Sequence, residues 1–108
     1  MKTPEQCIKD LDTALRTDRK RTAGLDATYQ FVIAGANGGS WFVEARSGTG
    51  RAEAGTVTDP TVTVHTSEDV FVKLATGELG GQDAFFSGKL RVEGEQPMAM
   101  YLKQIFGT

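Results

Sequence analysis

The stretch GGQDAFFSGKL, residues 80–90, sets Phe85 and Phe86 side by side between polar residues and glycines. Successive side chains leave a pleated strand on opposite faces, so one strand cannot aim both rings at one surface. Neighbours on a helix differ by about 100° and can share a wide apolar face. The pair therefore predicts a short helix with both rings on one buried surface, preceded by Gly80 and Gly81 and stopped by Gly88. Beyond it, Leu90 and Val92 alternate with Lys89, Arg91 and Glu93, which predicts a strand over residues 89–94.

Working outward, Pro97 opens a last helix reaching about Phe106, with Met98, Leu102, Ile105 and Phe106 on one stripe and Met100 on the opposite side. On the other flank, Thr66 or Ser67 caps a helix whose first turn carries Glu68 and Asp69 and whose apolar face is Val70, Phe71 and Leu74, ending at Gly77. Before it lies the strand TVTVHT, preceded by the Asp59-Pro60 break.

Further upstream, Tyr29, Phe31 and Ile33 alternate with Thr28, Gln30 and Val32, and Trp41, Val43 and Ala45 with Phe42 and Glu44. Between them GANGG holds Asn37-Gly38, a hairpin pair whose two positions tolerate positive φ. SGTG makes a second reversal into a weaker strand at about residues 51–57. At the start, Thr3, Pro4 and Gln6 have capping-box spacing for an amphipathic helix over 4–16, and a polar connection follows over 17–26. Strands interleaved with one-faced helices predict a single α+β domain, with one sheet and helices over one side.

Several chemistries are excluded. A net charge of −2 over 108 residues is not that of a sequence-independent nucleic-acid binder. Arg19, Lys20 and Arg21 form the one basic run, which reads as a solvated loop without a partner. His65, Ser67 and Asp69 are the residue types of a hydrolase triad, but Ser67 and Asp69 are what a helix start requires. One His and one distant Cys give no metal set, and neither GANGG nor SGTG matches a phosphate loop. No catalytic residue, cofactor or metal is expected. Cys7 is the single cysteine, no apolar run reaches membrane-span length, and the N-terminus lacks a signal-peptide block, so the expected location is cytoplasmic.

GELGGQDAFFSGKLRVEG followed by an apolar helix resembles the signature of the sterol-carrier-protein (nonspecific lipid-transfer) domain family, through Gly77, Leu79, Gln82, Ala84, Phe85, Gly88, Lys89, Leu90 and Gly94. YQFVIAGANGGSWFVEA and TSEDVFVKLATG follow that family's order, and the resemblance spans roughly Ala27 to Phe106. It implies a five-stranded mixed sheet with helices on one face and an elongated apolar cavity between the layers. That cavity would hold a fatty acyl chain, acyl-CoA or sterol-like lipid. The resemblance also implies that Phe71, Leu74, Phe85, Phe86, Leu90, Val92, Met98, Leu102, Ile105 and Phe106 form the wall, faced by Ile33, Trp41 and Val43, with Gln82 the polar group near the mouth.

The expectation is a carrier of a lipid or acyl-chain ligand, with transient membrane contact and no nucleic acid; the oligomeric state is not legible. The alternative is an accessory or protein-interaction module of the same fold, its pocket collapsed and its Met100 face docked on a partner.

Overall fold

The computed structural model describes residues 2–108. Helix α1 (Pro4–Thr17) starts with the capping box read from the sequence: the Thr3 side chain accepts from the Gln6 N–H, and the Gln6 side chain accepts from the Thr3 N–H. Strands β1 (Asp26–Ala34), β2 (Gly39–Arg46) and β3 (Thr49–Ala54) form an antiparallel meander, with β4 (Val62–Ser67) added parallel to β1. Helices α2 (Glu68–Thr76) and α3 (Gly81–Phe86) lead to β5 (Leu90–Gly94), and α4 (Leu102–Phe106) follows. The result is one mixed α+β sheet of five strands in the order β3-β2-β1-β4-β5.

The register explains why only one face is covered. Ala54, Trp41, Phe31, Val64 and Val92 form one row across the sheet, and Ala52, Val43, Tyr29 and Val62 form the next. All of these except Ala54 are buried, in one cluster with Ile8, Leu11 and Leu15 of α1 and the inner faces of α2 and α4. The alternate positions carry Thr28, Glu44, Arg51, His65 and Arg91, as expected of a solvated face. Gln30 and its cross-strand partner Phe42 are exceptions, at 3% and 7% exposed, Phe42 lying under the Arg51 guanidinium; the role of Gln30 is polar. Its amide donates to the Trp41 and Gly55 carbonyls and its oxygen accepts from the Val57 N–H, tying the 55–57 segment under the sheet.

Three expectations change in detail. The hairpin turn does not place Asn37 and Gly38 at positive φ; Gly35 takes it (135°), and the Gly38 N–H donates to the Gly35 carbonyl. Gly38 is required instead by close approach, since a Cβ there would lie 2.2 Å from the Ile33 carbonyl oxygen. The third strand ends at Ala54 rather than residue 57, because Val57 is taken by Gln30. Finally, the last helix is broken into a 3-10 segment, Gln96–Tyr101, and α4. In a continuous α-helix the Met98 carbonyl would accept from the Leu102 N–H. The buried Tyr29 hydroxyl donates to that carbonyl at 2.8 Å, and the Leu102 N–H turns to Ala99 instead.

Asp12 closes the β3 side of the sheet, its Oδ1 accepting from the Ala52 N–H at 2.9 Å. Burial pushes its pKa up, but the Ala52 N–H and the Arg16 guanidinium outweigh that and hold it below the usual carboxylate range. An edge donor that could pair with another chain is thereby occupied.

Burial raises the Tyr29 phenol to about 12, so the folded state holds the proton where the unfolded chain releases it. The resulting stabilisation is complete below pH ~10 and fades as pH rises towards about 12. Tyr29→Phe leaves the Met98 carbonyl without its donor and is expected to cost about 1–3 kcal/mol at pH 7. Urea titrations of the two proteins should converge as pH climbs from 10 to 12; a constant gap would refute the buried-phenol assignment.

Candidate functional site

The inner face of the helical layer is set by local signals. Ser67 caps α2 by accepting from the Val70 N–H at 3.2 Å, Glu68 and Asp69 occupy its first turn, and Gly77 ends it in the left-handed region at φ 83°. One turn of helix from that cap brings Phe71 and Leu74 over β1 and β4, both buried. Phe106, in the last turn of α4, meets the same spot.

Phe31, Phe71 and Phe106 form a closed aromatic trio, with centroids 5.3 Å apart for Phe31–Phe71, 6.2 Å for Phe31–Phe106 and 5.9 Å for Phe71–Phe106. Two of the three pairs are edge-to-face, an arrangement worth about 0.5–1.5 kcal/mol per pair beyond burial.

Of the residues expected to form a wall, Ile33, Trp41, Val43, Phe71, Leu74, Leu90, Val92, Leu102, Ile105 and Phe106 are all buried in this one cluster, with Met98 packed at its margin. They pack together in one buried layer. Hollows of about 320 and 190 Å³ lie at the surface, and neither of these is lined by Phe71, Phe86, Leu90 or Leu102. The larger lies between α1 and the β2–β3 hairpin beside Trp41, and the smaller between α1 and α2, bordered by Phe106.

Gln82, Phe85 and Phe86 stand apart from the cluster. All three are exposed, Phe85 at 42% and Phe86 at 82%, which corrects the expectation that both rings share a buried surface. The reason is the length of α3: a six-residue helix has one inward position, and Ala84 takes it, fully buried, while the Lys89 N–H bonds its carbonyl at 2.8 Å. The two rings lean on each other instead, edge-to-face at 5.7 Å. Met100 (66% exposed) and Tyr101 (42%) lie on the adjoining 3-10 segment.

Sequence reasoning passed over one contact. Arg21 belongs to the run read as solvated, yet its Nη1 donates to the Phe106 carbonyl at 3.0 Å and reaches that of Ile105 at 3.5 Å. In return, the Gln104 amide lies 3.1–3.3 Å from the carbonyls of Lys20, Arg21 and Ala23. The 3-10 turn Arg19–Arg21 is thus the seat of α4.

The triad-like residues have separate partners: His65 Nε2 lies 2.9 Å from Glu93 Oε1, Ser67 caps α2, and Asp69 pairs with Lys73. Burial, the largest influence on Cys7, pushes its thiol up, away from the thiolate form. Among the described residues there is no group of three metal-ligating side chains and no helix long and apolar enough to cross a membrane.

A one-sided α+β sheet closing over an all-apolar layer is the architecture of a sterol-carrier-type lipid-transfer domain. The chain belongs to the SCP-2 sterol transfer family, whose model matches residues 8–107. It is 34% identical over 106 residues to hydroxysteroid dehydrogenase-like protein 2 of Xenopus tropicalis, covering 95% of this chain and 24% of that protein. The chain therefore spans about a quarter or less of the curated relatives it matches.

Its fold superposes on apo sterol carrier protein 2 of Yarrowia lipolytica with a TM-score of 0.77 at 20% identity, covering 95% of this chain and 91% of that one. Sterol carrier protein domain 2 of Helicoverpa armigera gives a TM-score of 0.72 at 29% identity, with 94% and 86% covered.

The burial pattern separates the phenylalanines by consequence. Phe71→Ala is expected to cost about 3–5 kcal/mol in urea unfolding, and Phe86→Ala no more than about 0.5 kcal/mol. Equal losses at the two positions would contradict the exposures given above.

Proposed function

We propose that the chain binds and carries a hydrophobic ligand with an acyl or sterol-like body, shielding it from water between the sheet and the helical layer. The domain itself contributes no bond-making chemistry in this reading. Ile33, Trp41, Val43, Phe71, Leu74, Leu90, Val92, Met98, Leu102, Ile105 and Phe106 would form the wall, with Gln82 at the mouth and Phe85 and Phe86 at the rim.

The observation that carries the reading is Phe86, 82% exposed and joined to Phe85 on α3, an element in contact with the 3-10 segment that carries the exposed Met100 and Tyr101. Fully burying such a side chain is worth about 1.5–3 kcal/mol, a gain the fold leaves unused. Exposed apolar groups gathered on adjoining short elements mark a contact surface. Here they lie beside an interior that is largely apolar, so the same elements can meet a membrane and deliver its lipid inward. Family membership supports the same conclusion.

A second reading is favoured by the aromatic trio: with its interior already filled, the chain would be an interaction module that docks through the Met100 face. Palmitate separates the two. A carrier held at about 100 times its dissociation constant gains roughly 2.7 kcal/mol, which should raise the melting midpoint by about 10 °C or more in a domain of this size. Coincident midpoints at every palmitate concentration would leave only the interaction module.

The rim has its own test. Phe86→Ser should slow transfer of palmitate between lipid vesicles several-fold while leaving affinity in solution unchanged. Unaltered transfer would remove the membrane role of α3.

A further inference from the structure

We infer that the Phe106 ring is a built-in plug, displaced by the tail of a single-chain lipid that enters through the hollow between α1 and α2, and that Arg21 and Gln104 hold the plug in place. The inference rests on the carrier reading and specifies the ligand class and its path.

Three observations converge on Phe106. It is the one member of the aromatic trio that retains exposure, 7% against 0% for Phe31 and Phe71. It also borders the surface hollow of about 190 Å³, alongside Cys7, Leu11, Ala14 and Ala75. One side chain thus separates outside space from the aromatic interior. Its helix has only five residues, too short to persist without tertiary support. Phe31 lies in the central strand and Phe71 in a nine-residue helix whose start is fixed by the Ser67 side-chain cap, which α4 lacks, so neither can move as readily.

That support is polar and specific. Arg21 holds the carbonyls of Ile105 and Phe106, and Gln104 reaches the carbonyls of the facing turn. Gln104 is therefore a positioning residue that need not touch a ligand, while Arg21, which also lines the hollow, combines that holding role with a place on the entry path.

The width of the place vacated selects the ligand. The Phe106 ring sits 6.2 Å from the Phe31 centroid and 5.9 Å from that of Phe71. With carbon contacts at about 3.5–4.0 Å, such a slot takes one alkyl chain, whose methylenes substitute for ring carbons. A fused four-ring sterol is too broad for it without wider separation of the layers. A ligand that must wait for a minor open state binds with its affinity reduced by the open fraction, so removing the plug should tighten binding.

Palmitate and cholesterol are titrated by calorimetry into wild type, Phe106→Ala and Gln104→Ala, with thermal melts establishing that each variant folds. Phe106→Ala is expected to bind palmitate about tenfold or more tightly than wild type, and Gln104→Ala to shift in the same direction by less, with cholesterol the weaker ligand throughout. Amide exchange of residues 102–108 should be faster in Gln104→Ala while β1 and β4 stay protected.

Equal or weaker palmitate binding by Phe106→Ala, or by Gln104→Ala where the first variant does not fold, overturns the plug and leaves the carrier reading standing. Cholesterol bound more tightly than palmitate overturns the single-chain assignment. No binding of either lipid to any of the three proteins removes the carrier reading and the plug together.

Discussion

The structure depends on the need to cover the paired central strands β1 and β4. Their inward residues Tyr29, Phe31, Val62 and Val64 are all fully buried, and no second sheet exists among the described residues to bury them. The cover must come from helices, and the chain supplies it close at hand: α2 begins at Glu68, directly after β4 ends at Ser67. A one-residue junction with Ser67 as both strand end and cap folds the helix back over the strand it has just left. Phe71 then falls on Phe31, at 5.3 Å between ring centres, and the remaining gap is closed by Phe106 from the far end of the chain. The position of α4 is thus a consequence of what the central strands leave uncovered.

An apolar contact between helices and sheet is nondirectional, and the precision of this one comes from a few polar ties. Tyr29 reaches from β1 through the apolar layer to the Met98 carbonyl, fixing the height and winding of the 3-10 segment. Gln30, its neighbour in sequence, points the opposite way and holds the 55–57 segment to the other face. Asp12 fastens α1 to the outer strand β3, and the reciprocal pair Arg21 and Gln104 seats α4. Each tie joins a side chain to backbone, so each fixes where a segment runs as well as how tightly it is held.

That chemistry also explains what the sequence made legible. Tyr29, Phe31 and Ile33, with Trp41 and Val43, announce their strands through a period of two, because their own side chains carry the signal. The caps at Thr3, Ser67 and Gly77 are equally local. Arg21 was misread as a solvated charge because its partners are carbonyls 84 and 85 residues away, and a carbonyl has no residue identity to recognise. The break in the last helix escaped for the same reason, its cause being a hydroxyl on β1. Phe85 and Phe86 failed differently: a shared helical face implies burial only if the helix is long enough to have an inner face wider than Ala84. The off-stripe placement of Met100 was legible, since an angle on a helical wheel survives a change from α to 3-10 winding better than a helix boundary does.

A closely packed aromatic trio and membership of a lipid-transfer family are physically compatible. An empty void of ~300 Å³, the small end of ligand pockets, would cost on the order of 7 kcal/mol, comparable to the whole stability of a small domain. A domain built to hold a lipid and also to persist without one must therefore close its own space. Closing it with side chains from central strands or well-capped helices would make reopening as costly as unfolding. Closing it with rings carried on short elements, held by a few hydrogen bonds to backbone, confines the cost to those elements. The aromatic trio divides along this line, with Phe31 and Phe71 on the scaffold and Phe106 on a five-residue helix. The exposed rings of α3 extend the same logic to the surface, since apolar area that is wet in isolation would be sheltered in the proposed contact with a membrane.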